Sequence, residues 1–286
     1  MVDTRPPARL HVILARDVPK AVVIRRGPTA WTRLSLWHTD TDTFEHGQWF
    51  KGTIYPDRSD LAPNGRLFIY YAGKQTGYTI DPHTSYDTSW IAISKPPYFT
   101  ALALWNVGTT YCPGGLFMDD QTVWLPFSEG DEAAHPDHPP QGIDFHTGKP
   151  LGTPPFFYRL ERDGWTREAG QEAVPVVWWV PKRGQQSMYW SKQPPTSSFQ
   201  LVLERRMIGY HITFSYFVVH PARQTITTLD DFAWADWDHN GRLVGARRGQ
   251  ILVMNPEAPN DEVTVLADLN DQRPDPQPAP DWAQHW

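Results

Sequence analysis

Short apolar or alternating stretches, separated by turn-forming residues, run along most of the chain. Trp31–Trp37 alternates between apolar and polar side chains, as expected of a β-strand with one buried face. Leu10–Ala15 and Lys20–Ile24 are short apolar runs, and Arg16–Pro19 between them is typical of a turn. Because the runs are short and rich in β-branched and aromatic residues, the pattern predicts an all-β protein.

The same pattern predicts strands over the rest of the chain, together with one long loop and a tail. Phe157–Arg167 is predicted to be a hairpin that turns at Asp163-Gly164. Residues 129–155 are rich in Gly, Pro, His and Asp and predict a long surface loop. Residues 272–286 form a Pro-rich tail, which is expected to be a disordered end, a strap over its own domain or a docking peptide. The other predicted strands are Phe44–Gly52, Leu67–Ala72, Ser89–Ser94, Thr100–Trp105, Leu116–Phe117, Thr122–Leu125, Val176–Val180, Ser187–Trp190, Phe199–Glu204, Met207–Ile212, Phe214–His220, Thr225–Leu229, Leu243–Ala246 and Gln250–Met254.

One pattern occurs twice, first from Asp60 to Leu67 and again from Asp236 to Leu243. Each copy has an Asp, three spacer positions, Asn-Gly-Arg-Leu and then an apolar strand. Asn-Gly predicts a tight turn because glycine accepts a positive φ. The leading Asp is expected to accept hydrogen bonds from backbone amides across that turn. Matching hairpins precede both copies, so the repeat extends to a unit of about 40 residues.

Units of this kind resemble β-propeller blades, in particular the blade turns of WD40-like and TolB-like proteins. The resemblance is clearest over residues 31–72 and 214–254. It implies a β-propeller, and at about 45–55 residues per blade the length suits five blades, with four or six as alternatives. It also implies one propeller domain over residues 1–271, in which the N-terminal strands complete the last blade and close the ring. A β-sandwich is the rival fold.

Composition narrows the classes of function. The chain has 26 basic and 32 acidic side chains and a net charge of −6, which makes nucleic-acid binding unexpected. The single cysteine, Cys112, excludes an internal disulfide. The sequence shows neither an apolar signal segment nor a long apolar run, so we expect a cytoplasmic protein without a membrane span. No motif predicts a cofactor.

Two groups of side chains are candidate sites. His135, His138 and His146 lie within one predicted loop, and histidine is a common ligand of zinc and other transition metals. The competing interpretation is a solvated Pro-rich loop. The candidate binding residues are four tryptophans, because indole rings stack on sugars and anchor protein interfaces. They are Trp178, Trp179, Trp282 and Trp286.

Other polar groups favour structural roles. Asp119-Asp120 and Asp230-Asp231 are adjacent carboxylates, whereas a glycosidase needs a pair facing each other across a cleft. The segment from His38 to His46 contains Asp40 and Asp42 but lacks the glycine and glutamate of a calcium loop, which predicts a polar turn. Cys112 is expected to be a structural thiol rather than a nucleophile, and no residue is assigned a catalytic role.

The function favoured by the sequence is a non-enzymatic propeller that binds another protein, as a scaffold subunit of a larger bacterial-type assembly. The support is a repeat fold with loop-bearing faces and the lack of a catalytic motif. One alternative is a carbohydrate-active enzyme with two close carboxylates and Trp platforms. The other is a lectin-type ligand binder with pockets between blades.

Overall fold

The structure is a computed structural model that describes residues 6–27, 29–74, 88–108, 112–128, 133–147, 155–168, 185–194, 196–208 and 211–286. Within these residues the protein is all-β, with five sheets and one α-helix, α1, at Pro155–Arg162. The predicted strand Val176–Val180, with Trp178 and Trp179, lies outside the described residues. In the described part of the chain, no helix is long and apolar enough to cross a membrane.

The chain divides into two compact units. Unit 1 contains the described residues of Met1–Pro6, Val12–Phe156 and Gln272–Trp286, and unit 2 contains those of Pro7–His11 and Phe157–Asp271. The tail at residues 272–286 is therefore an integral part of unit 1. That residues 1–271 form a single propeller domain stays a prediction.

The first three sheets are built from strands that follow one another in sequence. The first sheet has the order β1-β2-β3-β4, the second the order β5-β7-β8-β9 with β6 also paired to β7, and the third the order β10-β11-β12. All of their described pairings are antiparallel except β11 with β12, which is parallel. The strands are β1 (Arg9–Leu14), β2 (Lys20–Arg26), β3 (Trp31–His38), β4 (Thr43–Lys51), β5 (Thr53–Ile54), β6 (Asp60–Leu61), β7 (Phe68–Gly73), β8 (Ser89–Ser94), β9 (Ala103–Asn106), β10 (Leu116–Phe117), β11 (Thr122–Trp124) and β12 (Asp144–His146).

Unit 2 holds the other two sheets, and in each the strands again lie in sequence order. The Phe157 ring of α1 packs on the buried Trp190 ring at a centroid distance of 4.9 Å, so the helix covers one face of the fourth sheet. The fourth sheet is β13 (Thr166–Arg167), β14 (Gln185–Lys192), β15 (Gln200–Ile208), β16 (His211–His220) and β17 (Thr225–Thr228). The fifth is β18 (Phe232–Trp237), β19 (Leu243–Arg247), β20 (Gln250–Met254) and β21 (Val263–Asp268).

The structure corrects the predicted hairpin at Phe157–Arg167, of which only Thr166–Arg167 is a strand. The helix α1 starts with Pro155, which is favoured at the first helical position because its missing N–H needs no partner there. Gly164, with φ of 91°, then ends the helix rather than turning a hairpin. An Asp-Gly pair is compatible both with a hairpin turn and with the end of a helix. Here the buried aromatic residues before it favour the helix.

Both copies of the repeated pattern form a β-turn hairpin. Asp60 pairs with Ile69 and Asp236 with Val244, and the turns carry Gly65 at φ 68° and Gly241 at φ 72°. The prediction of a glycine turn is confirmed. In the first copy the side chain of Asn64 caps the turn by accepting the Arg66 amide N–H at 2.9 Å.

The leading Asp of each copy also makes contacts beyond its own turn. Asp60 is buried, and its Oδ2 accepts the backbone N–H of Phe117 in β10 at 2.8 Å. Asp236 accepts the backbone N–H of Trp237 at 2.7 Å, and also hydrogen bonds from Trp165 Nε1 at 3.3 Å and Lys192 Nζ at 2.8 Å. Each carboxylate therefore ties its hairpin to a different part of the same unit, and the glycine with its capping side chain makes the turn.

Candidate ligand-binding cavity

Unit 1 contains an open cavity of about 1000 Å³. Its wall comes from strand ends and turns of the first three sheets and from the last residues of the chain. Those elements bring together two indoles, four carboxylates, three side-chain amides and several cationic groups. The lining residues are Lys20, Leu36, His38, Glu45, Asn64, Gly65, Arg66, Leu67, Lys95, Pro96, Asp119, Asp120, Gln121, Thr122, Gln141, Gly142, Ile143, Asp144, Trp282 and Trp286.

The turn between β10 and β11 supplies the acidic side of the cavity. Asp119 Oδ1 accepts the backbone N–H groups of Gln121 at 2.8 Å and Thr122 at 2.7 Å, which fixes the turn. Asp120 Oδ1 accepts the backbone N–H of Asn64 at 2.8 Å and so joins this turn to the repeat hairpin. The amide N–H of Gln121, followed by other donors of the turn, lowers the pKa of Asp119 below its usual range.

Two indoles, those of Trp282 and Trp286, form another part of the wall. Trp282 is the middle residue of a short 3₁₀ turn at Asp281–Ala283, and Trp286 follows three residues after that turn. Ala279 and Ala283, on either side of Trp282, are buried. Trp282 is 55% exposed, so most of its ring surface is open to a ligand. The edge of that ring contacts Tyr98 in a T-shaped arrangement with a centroid distance of 5.6 Å.

Trp286 is less exposed than Trp282. It is partly buried and packs against the apolar cluster that includes Trp105 and Phe117. Its Nε1–H donates to the carbonyl oxygen of Pro139 at 3.3 Å. Of the three possibilities for the tail, the structure therefore shows the strap over its own unit.

The first sheet contributes a charged edge to the cavity. Lys20 begins β2 and pairs with His38 at the end of β3. The ring Nε2 of His38 lies 2.6 Å from Glu45 Oε1, which orients both side chains. Asp42, with φ of 54°, lies in the turn that connects β3 to β4, so the polar turn predicted for His38–His46 is what the structure shows.

The three histidines predicted as metal ligands lie in the segment before and within β12. The rings of His135 and His138 are 5.8 Å apart, whereas His146 is exposed on β12. His135 Nδ1 accepts the amide N–H of Asp137 at 3.2 Å, which commits one ring nitrogen to the loop. Among the residues described, no three His, Cys, Asp or Glu side chains could together hold a metal ion. The structure thus brings two of the three predicted ligands near each other.

Of the other predicted groups, Asp230-Asp231 and Cys112 are not among the residues that line the cavity. Trp178 and Trp179 are not among the described residues. Asp231 has φ of 62° and forms an ion pair with Arg248, which agrees with a turn role for Asp230-Asp231. Cys112 is buried, and burial raises the pKa of its thiol to about 11, as expected for a structural cysteine.

Several lining residues have no signal in the sequence that would have marked them. Lys95, Gln121 and Gln141 stand in ordinary turn or loop segments. Only the tertiary structure brings them to the same cavity. The two tail tryptophans are the exception, because a Trp pair in a Pro-rich segment is already unusual in composition.

Comparison with known proteins gives weak likenesses. No protein-family model and no curated protein matches the chain. The uncharacterized protein lmo1340 from Listeria monocytogenes EGD-e is similar over 96% of this chain and 86% of its own, with a TM-score of 0.32 and 8% identity. A polysaccharide lyase, the PL25 ulvan lyase, is similar over 94% of this chain and 75% of its own, with a TM-score of 0.23 and 10% identity. At these values neither a fold nor a function transfers to this chain.

Proposed function

We propose that this protein is a non-catalytic carbohydrate-binding protein whose ligand occupies the cavity of unit 1. The observation that carries the proposal is the pairing of Trp282 and Trp286 with polar side chains around one open cavity. Indoles stack on the apolar faces of sugar rings, while carboxylates and amides bind hydroxyl groups. Asn64, Gln121 and Gln141 supply side-chain amides in the same wall.

The cavity size favours an oligosaccharide over a single sugar. A volume of about 1000 Å³ is at the upper end of ligand cavities, which span about 300–1,000 Å³. The wall is open rather than closed over, and it draws on three sheets and the tail. A chain of several sugar rings can therefore lie along it with its ends in solvent.

The carboxylates of the cavity favour binding over hydrolysis. A glycosidase needs one carboxyl group that stays protonated until it donates to the leaving group. Asp119 has the opposite tendency, because hydrogen bonds from backbone amides lower its pKa. Asp120 is joined to the Asn64 amide at 2.8 Å. Asp119 is therefore suited to accept hydrogen bonds from ligand hydroxyls rather than to donate a proton.

The test is a glycan array followed by calorimetry on the best oligosaccharide. Wild-type protein should bind at least one glycan class, and Trp282→Ala should weaken that binding. Trp31→Ala is the matched control, because Trp31 is a partly exposed indole of unit 1 outside the cavity wall. An array without any specific signal, or equal losses from both variants, would refute the proposal.

A second candidate function is the binding of another protein through unit 2. Ile208 and Ile226 are 53% and 70% exposed, and the strand register puts both on one face of the fourth sheet. Exposed apolar side chains on one sheet face favour a protein partner. Ile226→Asp should abolish co-purification of such a partner, and a partner retained by this variant would exclude this face.

For the fold we propose that the five sheets are propeller blades. The support is that each sheet consists of strands consecutive in sequence, as in blades. An experimental structure in which the sheets pack face to face in two layers would establish the β-sandwich alternative instead.

A further inference from the structure

Lys95 makes two contacts that bear directly on the indole wall. It follows the last residue of β8, Ser94. Its Nζ donates to the carbonyl oxygen of Trp282 at 3.0 Å and to that of His285 at 2.6 Å. These carbonyls belong to one of the two cavity tryptophans and to the residue directly before the other. One ammonium group therefore spans the segment that separates the indoles.

The turn that carries Lys95 fixes Trp282 a second time. The amide N–H of Tyr98 donates to the Lys95 carbonyl at 3.0 Å, which closes the turn. The same turn then presents the Tyr98 ring to the Trp282 ring. The main chain and the side chain of Trp282 are thus both held from one place in the second sheet.

The Arg25 guanidinium holds the start of the tail, because its Nη2 donates to the Gln272 carbonyl at 3.3 Å. Two attachments nearer the indoles are of a different kind. Gln48 Nε2 donates to the Gln277 carbonyl at 3.3 Å, and the indole of Trp286 donates to Pro139. Both are bonds between neutral groups, whereas an ammonium donor makes shorter and stronger hydrogen bonds. The Gln48 bond also holds the tail before the 3₁₀ turn, so it does not orient the indoles.

We propose that Lys95 is the positioning residue of the cavity, which sets the spacing and orientation of Trp282 and Trp286 for the ligand. The inference rests on the carbohydrate-binding function proposed above. Lys95 acts through the main chain of residues 282–285, so its ammonium is committed to carbonyl groups rather than to the ligand. Removal of the ammonium should loosen the segment without unfolding unit 1, since Lys95 lies at a partly exposed turn.

The experiment compares Lys95→Met, Lys95→Arg and Lys51→Met in the full chain. Lys51 is an exposed lysine at the end of β4 outside the cavity wall and is the matched control. One readout is hydrogen exchange of the Ala283 and Gln284 amides, which donate within the 3₁₀ turn. The second readout is affinity for the oligosaccharide that gives the strongest array signal.

Lys95→Met should speed exchange at Ala283 and Gln284 and weaken the oligosaccharide affinity by about tenfold. Lys95→Arg keeps a cationic donor, so its exchange rates and its oligosaccharide affinity should stay close to those of the wild type. Lys51→Met should change neither the exchange rates nor the affinity. Unchanged exchange in Lys95→Met would overturn the positioning role. Faster exchange with unchanged affinity would also overturn it. If wild type binds no oligosaccharide, the proposed function fails, and exchange still reports separately whether Lys95 orders the segment.

Discussion

Trp282 and Trp286 should respond differently to truncation to alanine. Trp282 is 55% exposed, so its ring can be covered by a ligand with little prior role in folding. Trp286 is partly buried, packs on the apolar cluster of unit 1 and donates a hydrogen bond to Pro139. Trp282→Ala is therefore expected to affect binding selectively, and Trp286→Ala to affect both binding and stability.

The loss of binding free energy expected in Trp282→Ala follows from the solvent-exposed surface of the Trp282 ring. A tryptophan contributes up to about 250 Å² of surface, of which somewhat more than half is open here, and a sugar stacked on one face covers about half of that open area. At about 25 cal/mol per Å², this contact contributes about 1.5 kcal/mol, which is about a tenfold change in Kd.

Calorimetric titration with the bound oligosaccharide measures the affinity, and urea unfolding measures stability. Trp282→Ala should raise Kd about tenfold while changing the free energy of unfolding by less than about 1 kcal/mol. Trp286→Ala should in addition lower the free energy of unfolding by about 1–3 kcal/mol. Unaltered affinity in a folded Trp282→Ala variant would show that the ligand does not stack on this indole.

Three further predictions concern stability and reactivity. Asp60→Ala should lower the free energy of unfolding in urea by about 1–3 kcal/mol, because it removes the acceptor of the buried Phe117 amide. Asp60→Asn keeps an oxygen and should lower it less. Equal losses in the two variants would contradict a role for this hydrogen bond. Burial, aided by the charge of Arg159, lowers the pKa of His11 to about 3. As the pH falls below about 6.5, His11 therefore takes up a proton in the unfolded chain before it does so in the folded protein. The free energy of unfolding should then fall by at most about 1.4 kcal/mol per pH unit. His11→Gln should flatten that dependence between pH 7.5 and 5 in urea unfolding, and an unchanged slope would assign it to other groups. Cys112, with its thiol pKa raised to about 11, should react with a disulfide reagent at pH 8 only after urea unfolding, and rapid labelling of the native protein would disprove its burial.

The strands are predictable from this sequence because their local signal and their environment agree. β8 at Ser89–Ser94 is an apolar run between polar residues, and its predicted bounds match the structure. β18 at Phe232–Trp237 is harder to predict, because it overlaps the repeated pattern that the sequence assigns to a turn. Its strand character depends on pairing with β19, which a local pattern does not contain.

The cavity is less predictable than the strands. Composition marks Trp282 and Trp286, since indoles in a Pro-rich tail need a reason to be there. Lys95 carries no such mark, because its role depends on two carbonyl groups far away in sequence. The contact of Asp60 with the Phe117 amide carries no mark for the same reason, since Phe117 belongs to another sheet. Side chains that act through the main chain of distant segments escape sequence reasoning.

The split composition of unit 1 has a consequence for the order of folding. The wall residues of its cavity begin at Lys20 and end at Trp286, and residues 157–271 separate Val12–Phe156 from Gln272–Trp286 in sequence. Contacts of such long range close late, because loop closure must be compensated before they stabilise the chain. The sheets of unit 1 should therefore form before the tail docks, and ligand binding should be the last property regained on refolding.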